Sequence, residues 1–515
     1  MSRTHAATAA EGLFASGGLD GGPSAPALRT DSLAAGVLML LVLSVVQRVA
    51  GFVRAVLFCR WLDPQDLGLW DMAWGFLMLA APLAVLSLPG TFGRYVEYFR
   101  QRGQFRTFLR RTVALCAALA AVSAAVLCLS PHWFSQLIFG TPEQLRLVAL
   151  LAGSLLAVIL YNYLLSLYMA LRNIRLVSAL EFCNSLSFAV LGIGLLWYWE
   201  CSAASVVIAY GGACLLSAAL SCPWLRQAWQ AMPETLAPQP RAAFWSKLLP
   251  FAGWVMLSNL LTNLFAVADR YVIVHFAPGS PAEALTLVGQ YHSSRVVPLL
   301  LASLAAILGT VLLPHLSHDW EAGRRARVSA RLNLFLKLLV LLLTAASAGI
   351  LLLAPLLFDV AFQGKYADGL AVLPWTLVYC IWCGAGMVAQ SYLWCAERAG
   401  WSSVALSAGL AVGVALNVLW LPAMGLHGTV LATSAANLVV LVLVLWLGHR
   451  AGMRRDRGLW LVLAAPLALC LGPWVAAMVL AAVVWEAVCC DRLFSRAEKQ
   501  RLVDILRKRL QRLST

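Results

Sequence analysis

The chain has 515 residues, of which 61% are hydrophobic and 12% are charged, and its mean hydropathy is +0.81. A soluble multidomain protein would carry about 25% charged residues, so the composition excludes that class and predicts a polytopic membrane protein. The formal net charge of +15 comes from short basic clusters between apolar segments, which is the positive-inside pattern of membrane proteins. We therefore expect no nucleic-acid partner.

In chain order, residues 1–31 are rich in Ala, Gly, Ser and Thr and carry little apolar periodicity, which predicts a disordered cytoplasmic tail. Apolar segments follow. Because a crossing needs roughly 20 apolar residues, we predict about fourteen transmembrane helices. They lie near residues 34–59, 68–90, 112–131, 146–171, 176–198, 203–224, 248–276, 285–313, 333–357, 370–395, 402–421, 425–448, 458–472 and 474–490.

These helices predict an all-α polytopic membrane protein with two pseudo-symmetric six-helix lobes around a central cavity. The N-terminal lobe covers residues 32–230, a cytoplasmic linker covers 231–247, and the C-terminal lobe covers 248–450. Two additional transmembrane helices follow over residues 451–490. The final segment, 491–515, has the pattern of a basic amphipathic helix on the cytoplasmic surface, held by anionic lipid headgroups.

Lys and Arg are concentrated in alternate loops, including the segments around Arg100, Arg172, Arg325 and Arg454. The intervening loops hold few cations. Under the positive-inside rule, this distribution places both termini in the cytoplasm of a cell with the chain in its inner (plasma) membrane.

The first predicted helix carries a polar stripe in an otherwise apolar segment. Gln47, Arg48, Gly51 and Arg54 share one face by helical spacing. An arginine at the centre of a membrane helix costs about 2.5 to 3.5 kcal/mol on insertion scales unless it faces water or a partner. The stripe therefore predicts a water-filled interior.

An internal repeat relates the first two predicted helices to the seventh and eighth. The first pair reads VVQRVAGFVRAVLF and then LGLWDMAW; the second pair reads LLTNLFAVADRYVIVHF and then LVGQYHSS. Arg54 and Arg270 lie at similar depths, and the next helices open with Gly68 and Gly289. Six helices per unit give both copies the same orientation, which is the parallel repeat of some transporters.

The second copy carries its own polar stripe, which includes Asn263, Asp269 and Arg270, while Tyr291 and Arg295 share a face of the next helix. We expect the stripes to converge on a cationic cavity that binds a phosphate or carboxylate group, because the arginine fork gives bidentate hydrogen bonds and stays charged. The candidate substrate-binding residues are Arg48, Arg54, Arg270, Arg295, Gln47, Asn263 and Tyr291.

The structural alternative is that ion pairs only lock the helices together, with Asp269 beside a neighbouring arginine and Asp71 beside Arg48 or Arg54. These two aspartates are also the candidates for ion coupling. The chain has no G-x-x-x-x-G-K-[ST] phosphate loop. We expect no catalytic residue, no metal site and no cofactor.

The segments QRVAGFVRAVLFCRWLDPQDLGLW and NLLTNLFAVADRYVIVHF resemble the oligosaccharide flippases, the Wzx-like polysaccharide biosynthesis proteins of the multidrug/oligosaccharidyl-lipid/polysaccharide (MOP) exporter superfamily. The resemblance implies two six-helix lobes and makes Arg54 and Arg270 the first candidates for diphosphate contacts, followed by Arg48 and Arg295. The segment RVAGFVR is also similar to the lipid II flippases, although Ala55 stands where that group usually has an aspartate.

The resemblance implies a non-enzymatic transporter that flips a polyprenyl-diphosphate-linked oligosaccharide from the inner to the outer leaflet by alternating access. The implied partners are the lipid-linked glycan, membrane lipids and a polysaccharide polymerase or ligase, and we expect a monomer. The alternatives are a cation-coupled multidrug exporter or a lipid II flippase of the same superfamily. A membrane glycan polymerase or ligase is a further alternative, but the predicted outer loops are short for such an enzyme.

Overall fold

A computed structural model describes residues 33–230, 240–454, 456–489, 493–494 and 498–500. Every regular element in this part of the chain is helical. The α-helices are α1 Leu33–Trp61, α2 Pro64–Ala84, α3 Phe92–Gln101, α4 Phe105–Leu129, α5 Pro131–Phe139, α6 Leu145–Ala170, α7 Ile174–Tyr198, α8 Ala203–Gln230, α9 Arg241–Phe276, α10 Pro281–Arg295, α11 Pro298–Glu321, α12 Arg325–Leu356, α13 Ala367–Cys395, α14 Ala399–Met424, α15 Leu426–Arg450, α16 Arg457–Ala464 and α17 Pro473–Cys489.

Eleven helices among the described residues are long and apolar enough to cross a membrane, and two shorter apolar segments cover Arg457–Leu471 and Pro473–Glu486. The predicted all-α polytopic fold is therefore confirmed, while the count of fourteen crossings remains a prediction. The predicted tail at 1–31 lies outside the described residues. Helix α9 begins at Arg241, inside the segment predicted as a linker, whose residues 231–239 are also outside the described part.

Two predicted spans end differently in the structure. The segment predicted as one helix at 285–313 is divided into α10 and α11, because Pro298 has no N–H group to continue the hydrogen-bond ladder. The span predicted at 68–90 stops at Ala84, because Leu86 and Ser87 adopt the left-handed conformation, with φ of 51° and 48°. A short 3₁₀ helix, Leu88–Thr91, then leads into α3.

The α3 helix was not predicted. Its aromatic side chains Phe92, Tyr95 and Phe99 are buried, so it packs as an amphipathic helix rather than crossing the membrane. The hydroxyl of Tyr95 donates to the carbonyl oxygen of Lys247 at 3.2 Å. Since Lys247 lies in α9, this contact joins α3 of the N-terminal lobe to the first turns of α9.

The two lobes meet where α2 crosses α10. A Cβ atom at Gly68 would overlap the carbonyl oxygen of Leu285, and one at Gly289 would overlap the carbonyl oxygen of Pro64. Only glycine allows so close an approach between helices. Pro64 and Leu285 are equivalent positions of the repeat, and so are Gly68 and Gly289, because the same residue offset separates both pairs. Each glycine therefore contacts the residue of the other copy that is equivalent to the contact of its partner glycine.

Further contacts close the same end of the bundle, which we call the outer end because the arginine-rich loops lie at the other end. The Nζ atom of Lys365 lies 3.1 Å from Oδ1 of Asp63. The hydroxyl of Tyr366 donates to the carbonyl oxygen of Leu62 at 3.0 Å, and Nη1 of Arg60 donates to that of Val360 at 3.2 Å. The turn between α1 and α2 is thus held against the segment between α12 and α13.

Most of the segment predicted as a basic amphipathic helix, 491–515, lies outside the described residues. Within it, Leu493 and Phe494 are buried in the protein. The buried ammonium group of Lys337 donates to the carbonyl oxygen of Leu493 at 2.7 Å and lies 2.6 Å from Oδ2 of Asp456. This part of the segment is therefore fixed to α12 rather than lying only on lipid.

Candidate functional site

A cavity of about 550 Å³ lies between the two lobes. Helices α1, α2, α6, α7 and α8 line it from the N-terminal lobe, and α9, α10 and α11 line it from the other. We call it the cationic cavity, because four arginines face two carboxylates. Its polar lining includes Gln47, Arg48, Arg54, Asp71, Glu181, Asn184, Arg270, His292 and Arg295.

Asp71 is the centre of an ion-pair cluster that joins the lobes. Its side chain is 1% exposed and comes from α2, whereas its partners come from α9 and α10. Arg270 Nε lies 3.1 Å from Oδ2, and Arg295 Nη2 donates to both carboxylate oxygens at 3.3 Å. His292 Nδ1 is 2.8 Å from Oδ1. Asp71 therefore pairs with arginines of the other lobe, and not with Arg48 or Arg54 as the structural alternative expected.

Several donors of this cluster have no hydrogen-bond partner among the described residues. Arg270 Nε is within ion-pair distance of Asp71 but lacks a hydrogen-bonding angle, and Arg270 Nη1 and Arg295 Nε are also buried and unbonded. Buried polar groups in proteins are nearly always satisfied. The residues that carry these donors line the cationic cavity, and an anionic ligand that reached them would supply the missing acceptors.

The arginines of α1 are in a different environment. The guanidinium carbon of Arg54 lies 4.1 Å from the ring centroid of Phe188, which is a cation–π contact. Neither Arg48 nor Arg54 forms an ion pair with a described residue, and Nε of Arg48 is buried without a hydrogen-bond partner. These two charges are consequently not neutralised by the protein around them.

Aromatic rings cover the N-terminal side of the cavity. Phe188 packs against Trp70 at 5.6 Å and Tyr210 at 5.1 Å between ring centroids, and Tyr210 meets Trp74 edge to face at 4.9 Å. We call these four side chains the aromatic wall. Tilted and edge-to-face pairs of this kind are favourable, so the wall holds Phe188 firmly beneath Arg54.

Asp269 and Tyr291 lie behind the cavity rather than in its lining. The fully buried Tyr291 donates its hydroxyl hydrogen to Oδ2 of Asp269 at 2.6 Å, and Oδ1 of Asp269 accepts from the backbone N–H of Arg270 at 2.8 Å. Asp269 lies 4.0 Å from Nε of Arg270. Tyr291, which the sequence predicted as a substrate contact, instead positions Asp269 beside Arg270.

Asn263 lines a second cavity, of about 350 Å³, and not the cationic cavity. Its Nδ2 donates to the carbonyl oxygen of Met78 at 2.9 Å. Trp74 and Tyr210 line both cavities and form their common border. No Asp, Glu, Lys, Arg or His of the described residues contributes to the second lining, whose polar side chains are uncharged. We call it the polar cavity after those side chains.

Sequence reasoning missed the role of His292 as a partner of Asp71. The repeat contained the signal: the segment GLWD ends in Asp71 and the equivalent segment GQYH ends in His292. It also missed Tyr210, because the only charged residue of α8, Arg226, lies more than four turns away from Tyr210 along the helix. His292 and Tyr210 both line the cationic cavity.

The chain was compared with known proteins. The family model described as "Polysaccharide biosynthesis protein" matches residues 33–320. The "Uncharacterized membrane protein YabM" of Bacillus subtilis (strain 168) is 27% identical over 193 residues, which cover 37% of this chain and 36% of that protein. This match thus spans only about a third of the length of the curated relative.

Two solved structures are similar in fold. The lipid II flippase MurJ in an inward closed conformation has a TM-score of 0.68 at 12% identity, over 87% of this chain and 99% of that one. An inward-facing multidrug resistance MATE family transporter of the MOP superfamily has a TM-score of 0.61 at 15% identity, over 78% of this chain and 94% of that one. At these identities the similarity establishes the fold alone.

The family model confirms the resemblance to polysaccharide biosynthesis proteins, and both solved structures share the fold of this chain. The chain is a multi-pass membrane protein whose relatives in fold are transporters. Because the family model covers more than half of its length, the chain belongs to the polysaccharide biosynthesis protein family.

Proposed function

We propose that this protein moves a polyprenyl-diphosphate-linked oligosaccharide from the inner to the outer leaflet of the plasma membrane by alternating access, and that the cationic cavity binds the diphosphate. One observation carries the proposal: the cavity between two lobes of a membrane bundle is lined by arginines, three of which have buried donors without hydrogen-bond partners among the described residues. Such groups are costly in a membrane interior unless they meet water or an anion.

The charge of the cavity suits a diphosphate. Four arginines outnumber the carboxylates of Asp71 and Glu181, so the lining has a net positive charge that an anionic headgroup would neutralise. Among the described residues, Arg48 and Arg54 have no carboxylate partner to give up when a ligand binds, whereas Asp71 keeps Arg270 and Arg295 in place, with some of their donors unbonded. Arginine is suited to phosphate because of its planar fork.

The closed outer end supports alternating access as the mechanism. The contacts of Lys365 with Asp63 and of Tyr366 with Leu62 join the lobes at that end. A lipid headgroup can leave through the outer end only after these contacts break. Transporters built from repeats accomplish this by rocking one bundle against the other around a site near the midplane.

The loop charges support the proposed orientation of the chain in the membrane. The cations of the loops and of the C-terminal segment are concentrated at one end of the bundle, and the positive-inside rule assigns that end and both termini to the cytoplasm of the plasma (inner) membrane. The flipped product would pass to a polysaccharide polymerase or ligase outside. We propose that the transporter itself works as a monomer.

A cation-coupled multidrug exporter is the second candidate, since a MATE transporter shares the fold. Cation coupling needs a carboxylate that can exchange a proton or metal ion. Asp71 is engaged by two arginines, and Asp269 accepts hydrogen bonds from Tyr291 and the backbone of Arg270. The ion pairing of Asp71 therefore favours an anionic substrate over this alternative and over a glycan polymerase. A lipid II flippase would use the same diphosphate site and differ in the glycan.

The proposal can be tested by flipping assays in proteoliposomes with a fluorescent polyprenyl-diphosphate-linked oligosaccharide. The fraction of lipid reached by a membrane-impermeant quencher reports its leaflet. Arg54→Ala is expected to slow flipping by about tenfold or more, since a charge-assisted hydrogen bond contributes roughly 1.5 to 3 kcal/mol. Arg146→Ala, which removes an exposed arginine of α6 outside the cavity whose ion pair with Glu200 stays within the N-terminal lobe, is the control and should flip the lipid at close to the wild-type rate.

Flipping by Arg54→Ala at the wild-type rate would contradict the assignment of the cavity. Export of cationic drugs driven by a Na⁺ or H⁺ gradient, with no flipping of the lipid, would instead identify the multidrug exporter.

A further inference from the structure

The polar cavity adjoins the cationic cavity and is chemically distinct from it. It occupies about 350 Å³, within the usual range for small-ligand sites of roughly 300 to 1,000 Å³. Its polar side chains are asparagines and serines, and its ionisable lining is limited to the phenol of Tyr210. Most of the remaining lining is apolar, so a ligand for this cavity would be recognised by apolar contacts and by hydrogen bonds to uncharged groups.

Each of the two asparagines of α9 donates one hydrogen bond from its side-chain amide. Nδ2 of Asn259 donates to Oγ of Ser87 at 3.3 Å, and Nδ2 of Asn263 donates to the carbonyl oxygen of Met78 at 2.9 Å. Their Oδ1 atoms have no hydrogen-bond partner among the described residues. Since both residues line the polar cavity, each brings an open acceptor to it.

Asn162 of α6 brings donors as well as an acceptor. This side chain lines the cavity, is exposed, and makes no hydrogen bond with any described residue. An amide carries two N–H donors and a carbonyl acceptor. The lining therefore offers open acceptors from the C-terminal lobe and a free amide from the N-terminal lobe.

One edge of the cavity is built from strained backbone. Ser87 has a positive φ of 48°, and its hydroxyl accepts the hydrogen bond from Asn259. A non-glycine residue in this conformation costs of order 1–3 kcal/mol and persists only where its surroundings hold it, which is often at a functional site. Asn259 thus fixes the shape of the cavity as well as supplying an acceptor.

The border with the cationic cavity is aromatic. Trp74 and Tyr210 meet edge to face at 4.9 Å and line both cavities. The negative face of an aromatic ring attracts the weakly positive C–H groups of a pyranose ring. Hydroxyl-binding amides beside such rings form an environment suited to a sugar.

We propose that the polar cavity, with Asn162 and the aromatic border of Trp74, binds an uncharged sugar next to the diphosphate of the lipid-linked oligosaccharide. This inference rests on the proposed function and identifies the class of glycan. Sugar hydroxyls both donate and accept, so they match the free amide of Asn162 and the open acceptors of α9. An acidic sugar would lose its hydration with no cation in the lining to compensate.

The test measures binding to the purified protein in detergent by calorimetry, with three probes. They are a polyprenyl diphosphate without sugar, the same lipid with a neutral disaccharide, and the same lipid with a disaccharide containing a uronic acid. The neutral sugar is expected to tighten binding about tenfold, which corresponds to one or two net hydrogen bonds. The acidic sugar should add no affinity.

Asn162→Ala is expected to remove most of the tenfold gain and to leave the affinity for the sugar-free lipid unchanged. Thr262→Ala is the matched control, because Thr262 lies on α9 between the two asparagines, is absent from the lining and, among the described residues, donates its hydroxyl hydrogen to the carbonyl oxygen of Ser258 alone. It should keep the full gain. Asn162→Lys should raise the affinity for the acidic probe, since it adds a cation to the lining.

The inference is overturned if the gain from the neutral sugar survives Asn162→Ala, if the acidic sugar binds equally well, or if Asn162→Lys does not change the preference. In those outcomes, binding of the sugar-free lipid that depends on Arg54 leaves the proposed function intact. Absence of such binding in the wild type removes the proposed function and the inference with it.

Discussion

The two sides of the cationic cavity carry the same number of arginines but balance them differently. On the N-terminal side, Arg48 and Arg54 have no carboxylate partner among the described residues, and Arg54 lies over an aromatic ring. On the C-terminal side, Arg270 and Arg295 share the buried carboxylate of Asp71, which the opposite lobe supplies. The same residue type thus serves ligand capture on one side and attachment of the lobes on the other.

The two sides differ because their arginines are buried to different extents and have different neighbouring side chains. A buried charge needs a partner, because removing it from water costs several kcal/mol. Arg295 is 5% exposed and is paired. Arg54 is less buried, and the quadrupole of Phe188 stabilises it without cancelling its charge. Partner type, more than residue type, therefore determines which arginines can exchange a protein contact for a ligand.

Of the variants considered, Asp71→Ala should cause the largest loss of stability. It leaves two buried arginines without their carboxylate, and breaking a buried pair costs about 3–5 kcal/mol. Thermal unfolding in detergent should show a large loss of stability. Glu181→Ala is the matched control, because Glu181 lines the same cavity, is exposed and forms no ion pair with a described residue. Equal stabilities of the two variants would contradict the role given to Asp71.

Arg295→Ala and Arg54→Ala should lower the free energy of unfolding by different amounts, which distinguishes the two sides of the cavity. The first removes a hydrogen-bonded partner of Asp71 and should lower the free energy of unfolding by about 1.5–3 kcal/mol. The second removes a cation–π contact and should lower it by about 0.5–1 kcal/mol. Chemical or thermal unfolding of both variants measures the difference. The reverse order of stability would show that the α1 arginines, too, hold the bundle together.

Phe188→Leu should produce the smallest of these effects, a modest loss of binding affinity. Loss of the ring beneath Arg54 removes about 0.5–1 kcal/mol of cation–π stabilisation, so binding of a sugar-free polyprenyl diphosphate should weaken about two- to fivefold. Phe188→Tyr keeps a π face and should bind like the wild type. If both variants bind equally weakly, packing in the aromatic wall and not the cation–π contact positions Arg54.

The α1 stripe was predictable because helical spacing and the cost of buried charge act locally. Gln47, Arg48 and Arg54 were assigned to a wet interior on those grounds, and all three line the cationic cavity. The same logic assigned Arg270 and Arg295 correctly to that cavity. The arginines of these apolar helices therefore indicated the inward face, whereas Asp269 of α9 lies behind the cavity.

Other features depend on information that a single helix does not contain. The partners of Asp71 come from the opposite lobe, so they depend on how the lobes dock. Asn263 lies two turns from Arg270 on the same stripe, yet it lines the adjacent cavity, because helical spacing defines a face and not a depth. The left-handed turn at Leu86 and Ser87 uses residues that rarely adopt this conformation, so composition gave no sign of it.

The reciprocal glycine contact implies an axis of pseudo-two-fold symmetry between α2 and α10. Beyond Gly68 and Gly289, the next equivalent pair along this axis is Asp71 and His292, and these two residues also meet, at 2.8 Å. In a homodimer, a residue on the axis faces its own copy, so an aspartate there would oppose an aspartate and suffer like-charge repulsion. Fusion of the halves into one chain removes this constraint. The chain can place a base opposite an acid, and its cavity can be asymmetric in charge while its helices remain symmetric in shape.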